Sequence, residues 1–186
     1  MLMALLLAAH TFAGDSTKKT APETSLPIIP TRHTKFTTDE GTWMSLDVSP
    51  DGKSVVFDLV GDLYTVPIAG GTATRITSGM GFDGQPRFSP DGKTVVYVTD
   101  RTGYENLWVV DADGHNPRAV TSDKDAQYIS PAWTPDGEYL VVSRNKTGIL
   151  GSKYDLVLLN TSGGKGIVLT TPPKDASPNA PPPFDN

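Results

Sequence analysis

The chain has 186 residues, 37% of them hydrophobic and 20% charged, with 18 Gly, 16 Pro and a net charge of −5 at pH 7; this fits about one domain of short strands and turns. The negative charge, with no basic cluster denser than Lys18-Lys19, excludes the concentrated positive surface that nucleic acid requires. The absence of Cys excludes disulfides, thiolate catalysis and Cys-ligated zinc, and identifies no compartment.

Residues 1–14 read as a secretory signal peptide. Met1 to Ala9 is continuously apolar, and Thr11-Phe12-Ala13-Gly14 supplies small residues for cleavage, although no Lys or Arg precedes the run. The run is shorter than the roughly 20 residues that span a bilayer, so the expectation is export to the periplasm or beyond, with no membrane span. Residues 15–40, rich in Thr, Ser, Pro and Lys, read as a mobile leader. Its one apolar patch, Leu26-Pro27-Ile28-Ile29-Pro30, carries two prolines that confine it to a sheet edge.

Three near-identical phrases follow: Ser49-Pro50-Asp51-Gly52-Lys53, Ser89-Pro90-Asp91-Gly92-Lys93 and Thr134-Pro135-Asp136-Gly137-Glu138. Their prolines are 40 and then 45 residues apart, and a period of about 40 residues is that of one four-stranded propeller blade. The fold class predicted is therefore all-β, a β-propeller of four-stranded antiparallel blades with about three present, a partial propeller. Blade one takes residues 41–79, with strands at 44–48, 54–60, 63–67 and 73–77. Blade two takes 80–122, with strands at 85–88, 94–99, 106–110 and 118–121. Blade three takes 123–170, with strands at 130–133, 139–143, 155–160 and 166–169, its extra length falling in the hairpin from Arg144 to Tyr154. Residues 171–186, with six prolines, read as an extended loop or linker.

The second strands, Val55-Val56-Phe57, Val95-Val96-Tyr97-Val98 and Leu140-Val141-Val142, are apolar on both faces. An antiparallel sheet with one wet face alternates, so neighbours are expected on both sides, as in stacked blades. Trp43, Trp108, Trp133 and most tyrosines are expected in the same blade-to-blade core. Propellers close with about four to eight blades, so three predict either a piece of a longer polypeptide, which the sequence reading favours, or pairing with a second chain.

The repeated turn reads as structural. Pro50, Pro90 and Pro135 preset the first turn position, Asp51, Asp91 and Asp136 cap with their side chains, and Gly52, Gly92 and Gly137 take a positive φ. Gly79-Met80-Gly81-Phe82-Asp83-Gly84 matches a dinucleotide fingerprint on paper. The following Gln85-Pro86-Arg87-Phe88-Ser89-Pro90 cannot supply the helix that motif needs. Asp111-Ala112-Asp113-Gly114 has its Gly at the wrong place for a calcium loop. His10, His33 and His115 form no zinc motif, no Gly-x-Ser-x-Gly elbow occurs, and no cofactor or metal is expected in this segment. Asn145-Lys146-Thr147 and Asn160-Thr161-Ser162 match glycosylation acceptors that matter only in a eukaryotic cell. Catalytic residues are expected to be absent. Ligand or partner contact is assigned to the residues opening the innermost strands, Asp83, Gln85, Tyr128 and Ser130, with Arg101, Tyr104 and Glu105 of a long hairpin.

The pattern Pro86-Arg87-Phe88-Ser89-Pro90-Asp91-Gly92, then Asn106-Leu107-Trp108-Val109-Val110-Asp111, then Val120-Thr121 resembles the TolB-type propeller repeat. Asp62-Leu63-Tyr64-Thr65-Val66 echoes it in blade one, which lacks the leading proline, and the resemblance covers residues 41–170. In that wider family such blades bind partner proteins in TolB, gate tricorn-like and prolyl-oligopeptidase-like serine peptidases, or precede the metal-dependent barrel of secreted amidohydrolases. The apolar start, the Thr-Asp-Glu-Gly-Thr-Trp-Met-Ser-Leu-Asp-Val-Ser-Pro-Asp-Gly run at 38–52 and Pro-Pro-Pro-Phe-Asp-Asn at 181–186 are most similar to the third. The leader is too short for the α/β domain that precedes the propeller of TolB itself. The resemblance thus implies a non-catalytic propeller segment that positions or gates substrate. Its partners would be the remaining blades and a C-terminal hydrolase domain of the same polypeptide, or a separate protein.

Overall fold

The computed structural model describes residues 34–146 and 154–170. The expected signal peptide at 1–14, most of the leader at 15–40, the tip of the Arg144–Tyr154 hairpin and the loop at 171–186 lie outside the described residues. Twelve strands form three four-stranded sheets among the described residues. The first holds β1 (Leu46–Val48), β2 (Ser54–Leu59), β3 (Asp62–Pro67) and β4 (Thr74–Arg75). The second holds β5 (Asp83–Phe88), β6 (Thr94–Thr99), β7 (Asn106–Asp111) and β8 (Arg118–Ala119). The third holds β9 (Ala126–Trp133), β10 (Tyr139–Lys146), β11 (Tyr154–Asn160) and β12 (Ile167–Val168). Every pairing is antiparallel between consecutive strands, so each sheet is a meander, and the all-β partial propeller stands.

Each Pro-Asp-Gly turn builds the first hairpin of its sheet in the same way. In blade one the Ser49 hydroxyl donates to Asp51 Oδ1 at 2.7 Å while accepting the Ser54 amide at 2.9 Å, and the Lys53 amide donates to the same Asp51 oxygen at 3.1 Å. Gly52 takes φ 71° there, where a Cβ would be strained. Ser89 with Asp91 and Thr134 with Asp136 repeat the arrangement. The last hairpin is closed by a threonine: the amides of Leu63, Leu107 and Leu156 donate to Thr77, Thr121 and Thr170 Oγ1 at 2.8, 2.9 and 2.9 Å.

Two apolar seams join the sheets. Val56, Leu63 and Ile76 of blade one pack on Phe88, Val95, Tyr97, Trp108 and Val110 of blade two. The other face of blade two, with Val96, Val98, Leu107, Val109 and Val120, packs on Ala126, Tyr128, Leu140, Val142, Val157 and Leu159 of blade three. Each buried Val or Leu is worth about 1.5–3 kcal/mol against about 1 kcal/mol net for a hydrogen bond, so burial holds the blades together and polar contacts set their alignment.

The structure corrects several expectations. Of the three second strands, β6 is buried on both faces, while β2 and β10 alternate, because each has a described neighbour on one side. Trp43 is not core but 101% exposed, whereas Trp108 is buried. The closing strands shrink to two residues each, since the backbone leaves the ladder at the capping threonine. Strand β9 starts at Ala126 rather than 130, and β10 runs on to Lys146, because polar residues near the hairpin still pair across the sheet.

Candidate functional site

Strands β1, β5 and β9 lie side by side, which makes the first strand of each blade the innermost and puts its opening residues at one end of the axis. The ladder is irregular at that end. Gln85 and Ser130 adopt φ 56° and 54° inside the bulged stretches where the β5–β6 and β9–β10 registers shift. A bulge leaves amides outside the ladder, and side chains of the preceding blade accept them. The Gln85 amide donates to Asp58 Oδ2 at 2.9 Å, and the Ser130 amide donates to Gln85 Oε1 at 2.6 Å. Asp58 Oδ1 also accepts the Ser45 amide at 2.9 Å. One buried carboxylate thus ties the entry to β1 to the bulge of β5. Gly84 lets the carboxylate in, since a Cβ there would lie 3.2 Å from Asp58 Oδ2.

A cavity of about 260 Å³ opens at this point, with Trp43, Asp58, Phe82, Gln85, Asp100 and Glu105 in its wall. Trp43 and Phe82 are exposed aromatic surfaces. Asp100 accepts the Phe82 amide at 2.7 Å, which fixes the loop leading into β5. Glu105 is exposed. The wall therefore offers aromatic faces and carboxylate or amide oxygens, a surface that takes up cationic and hydrogen-bond-donating groups. Among the described residues no three His, Asp or Glu side chains converge as metal ligands. At the opposite end, clefts of about 460 and 410 Å³ lie between successive Pro-Asp-Gly turns. Their Asp91 carboxylate is already held within its own turn, and the hydroxyl of Ser89 together with the Lys93 amide keeps it below the ordinary carboxylate range.

Of the residues singled out from the sequence, only Gln85 and Glu105 line the axial cavity. Asp83 and Arg101 meet each other instead. Both oxygens of the fully buried Asp83 accept from Arg101 Nη2, at 3.0 and 2.8 Å, and the guanidinium lies 4.9 Å from the Trp108 ring and 5.6 Å from that of Tyr97. That pair is spent on the seam between blades one and two. Tyr128 is buried and donates to the Asp123 carboxylate; burial, then Asp123, pushes its phenol above the usual range. Ser130 is exposed beside the axis, and Tyr104 is exposed on the β6–β7 hairpin. The cavity residues that sequence reasoning missed are Trp43, Asp58, Phe82 and Asp100. Asp58 left a signal, as a charged residue breaking the apolar run Val55-Val56-Phe57; the others lie in loops whose convergence only the fold reveals.

A family model described as the tricorn protease N-terminal beta propeller domain matches residues 47–178. An uncharacterised protein of Agrobacterium fabrum is 32% identical over 124 residues, spanning 62% of this chain and 42% of its own length. The Tol-Pal system protein TolB of Francisella tularensis is 28% identical over 184 residues, with 72% of this chain and 42% of its own length covered. The structure of a putative TolB from Agrobacterium tumefaciens superposes with a TM-score of 0.63 at 28% identity, over 70% of this chain and 50% of that one. The chain thus spans less than half the length of the curated relatives it matches.

Proposed function

The chain belongs to the family of the tricorn protease N-terminal β-propeller domain, and on that premise we propose that it is an exported propeller module that positions or gates substrate for a larger amidohydrolase-related protein. The observation that carries this reading is the axial cavity, whose wall of Trp43, Phe82, Gln85 and Glu105 is built to hold a passing group. Blades that surround an axis act on what crosses it, and the acceptors of this wall favour segments bearing amides or positive charge. The TolB-type repeat supports the module. The apolar start and the 38–52 and 181–186 runs, similar to those of secreted amidohydrolases, support the setting and the place in the periplasm or outside the cell. Its partners are then further blades and a hydrolase domain of the same polypeptide.

A second reading, a periplasmic TolB-like protein-interaction module, is favoured by the 28% identity to the Francisella TolB. In a third, suggested by the family's own description, the blades serve a serine peptidase. The gene sequence downstream of Asn186 discriminates among them. A His-x-His on a strand is expected from the first reading. Further blades and a stop codon would replace it by the second, and Gly-x-Ser-x-Gly by the third.

A further inference from the structure

The axial cavity of about 260 Å³ is smaller than the roughly 300–1,000 Å³ that encloses a whole small-molecule ligand. Its size suits one side chain entering from the axis. Two exposed aromatic rings and a carboxylate face that space. Phe82 is 64% exposed, and its ring lies against Gly61 and Gly84, where added Cβ atoms would stand 3.3 and 3.4 Å from it. Trp43 is wholly exposed and takes φ 59°, so neither core packing nor an ordinary backbone accounts for an indole at that position. Aromatic surface beside a cavity is what an entering group can bury.

The carboxylates of the wall divide by what they already hold. Asp58 accepts the Ser45 and Gln85 amides, one on each oxygen, and Asp100 accepts the Phe82 amide. Glu105 is exposed. The ion pairs among the described residues engage other carboxylates and leave its charge unpaired there. No Lys, Arg or His lines the wall. The complement of such a wall is a cation with a flat face, and the chain itself contains an example of the fit. In the seam between blades one and two, the Arg101 guanidinium lies 4.9 Å from the Trp108 ring and 5.6 Å from the Tyr97 ring. The Asp83 carboxylate accepts from it at 2.8 and 3.0 Å. Two aromatic rings and one carboxylate hold Arg101, and the cavity offers the same set.

We propose that the cavity is a subsite for one arginine side chain of an extended polypeptide segment brought to the axis, its guanidinium against the rings of Trp43 and Phe82 and paired with Glu105. Arginine fits better than lysine because its planar, weakly hydrated cation stacks on rings and donates in a fork to a carboxylate. An ammonium is a compact, strongly hydrated point charge. That polypeptide crosses the axis rests on the gating role proposed above; the chemistry of the subsite rests on the wall itself.

Calorimetric titration of the purified 186-residue chain with the peptide Gly-Gly-Arg-Gly-Gly, blocked at both ends, tests it. The same peptide carrying Lys or citrulline is run beside it, citrulline keeping the shape and losing the charge. The Arg peptide is expected to bind, and the other two to bind about tenfold more weakly. Free arginine, whose own carboxylate the acidic wall repels, is expected to bind more weakly than the Arg peptide. Glu105→Gln and Trp43→Ala, both at exposed positions, should each weaken the Arg peptide by about tenfold with an unchanged circular dichroism spectrum. No binding of the Arg peptide, equal binding of the citrulline peptide, or an affinity that survives both substitutions would overturn the proposal. Tighter binding of free arginine would overturn it too, making the site one for an amino acid. Any of these leaves a gating module without this subsite. A downstream sequence lacking His-x-His would instead remove the hydrolase setting and leave the titration unchanged.

Discussion

At the scale of single residues, the side chains that matter most are those that accept stray backbone amides. Asp58 holds two, from Ser45 and Gln85, and is buried. Leaving a buried donor unmatched costs about 1–3 kcal/mol, so Asp58→Ala is expected to lose at least that much in urea denaturation. Asp58→Asn, which keeps one acceptor oxygen, should lose about half. The acid behaviour divides by residue as well. Asp51, Asp91 and Asp136 are held below the ordinary carboxylate range, chiefly by the hydroxyls of Ser49, Ser89 and Thr134 and then by backbone amides. Their contribution is present above the unfolded-state value near pH 4 and is lost as pH falls through the lower folded values. Asp62 runs the other way, because burial raises its carboxyl despite Arg75. Ionising it opposes folding, so stability declines slightly as pH rises above about 4. A pH series of denaturation midpoints should rise up to about pH 4 and then dip, and Asp62→Asn should abolish the dip while leaving the acid limb in place.

At the scale of elements, each blade closes on a threonine, and the three copies are an internal control. The Thr121 hydroxyl, buried, accepts the Leu107 amide and donates to Asn106 Oδ1 at 2.8 Å, whereas the bond to Thr170 is exposed. Thr121→Val is expected to cost about 1–3 kcal/mol by stranding buried polar groups. Thr170→Val should cost well under 1 kcal/mol where water can replace the bond. Calorimetric melting of the two variants side by side makes the comparison. The elements also show what the residues alone could reveal. The Pro-Asp-Gly turns were legible because a turn is a local event, and so were the second strands, which are continuous apolar runs. The bulges at Gln85 and Ser130 were not, since their amides are matched by residues 27 and 45 positions away. Trp43 was misplaced for the same reason: an aromatic next to a strand reads as core until the fold shows that nothing covers it. Buried pairs such as Asp83 with Arg101 read as free polar groups until their 18-residue separation is closed in space.

At the scale of the whole molecule, the described residues form three meanders that share two seams, and among them the middle one is covered on both faces. The periodicity foretold this arrangement. It also foretold that outer faces would want partners, since Val55-Val56-Phe57 and Leu140-Val141-Val142 carry apolar side chains on both sides of their strands. The axial cavity was only partly legible, through Gln85 and Glu105, because its remaining wall is assembled from separate loops and from strands β2, β5, β6 and β9. We propose that this wall holds and admits groups at the axis. The most direct test is a hydrolysis assay of the purified 186-residue chain on amide and ester substrates, with and without added zinc or manganese. The proposed gating role predicts turnover indistinguishable from buffer. Turnover that stays with the chain through purification and falls in Glu105→Gln would contradict it.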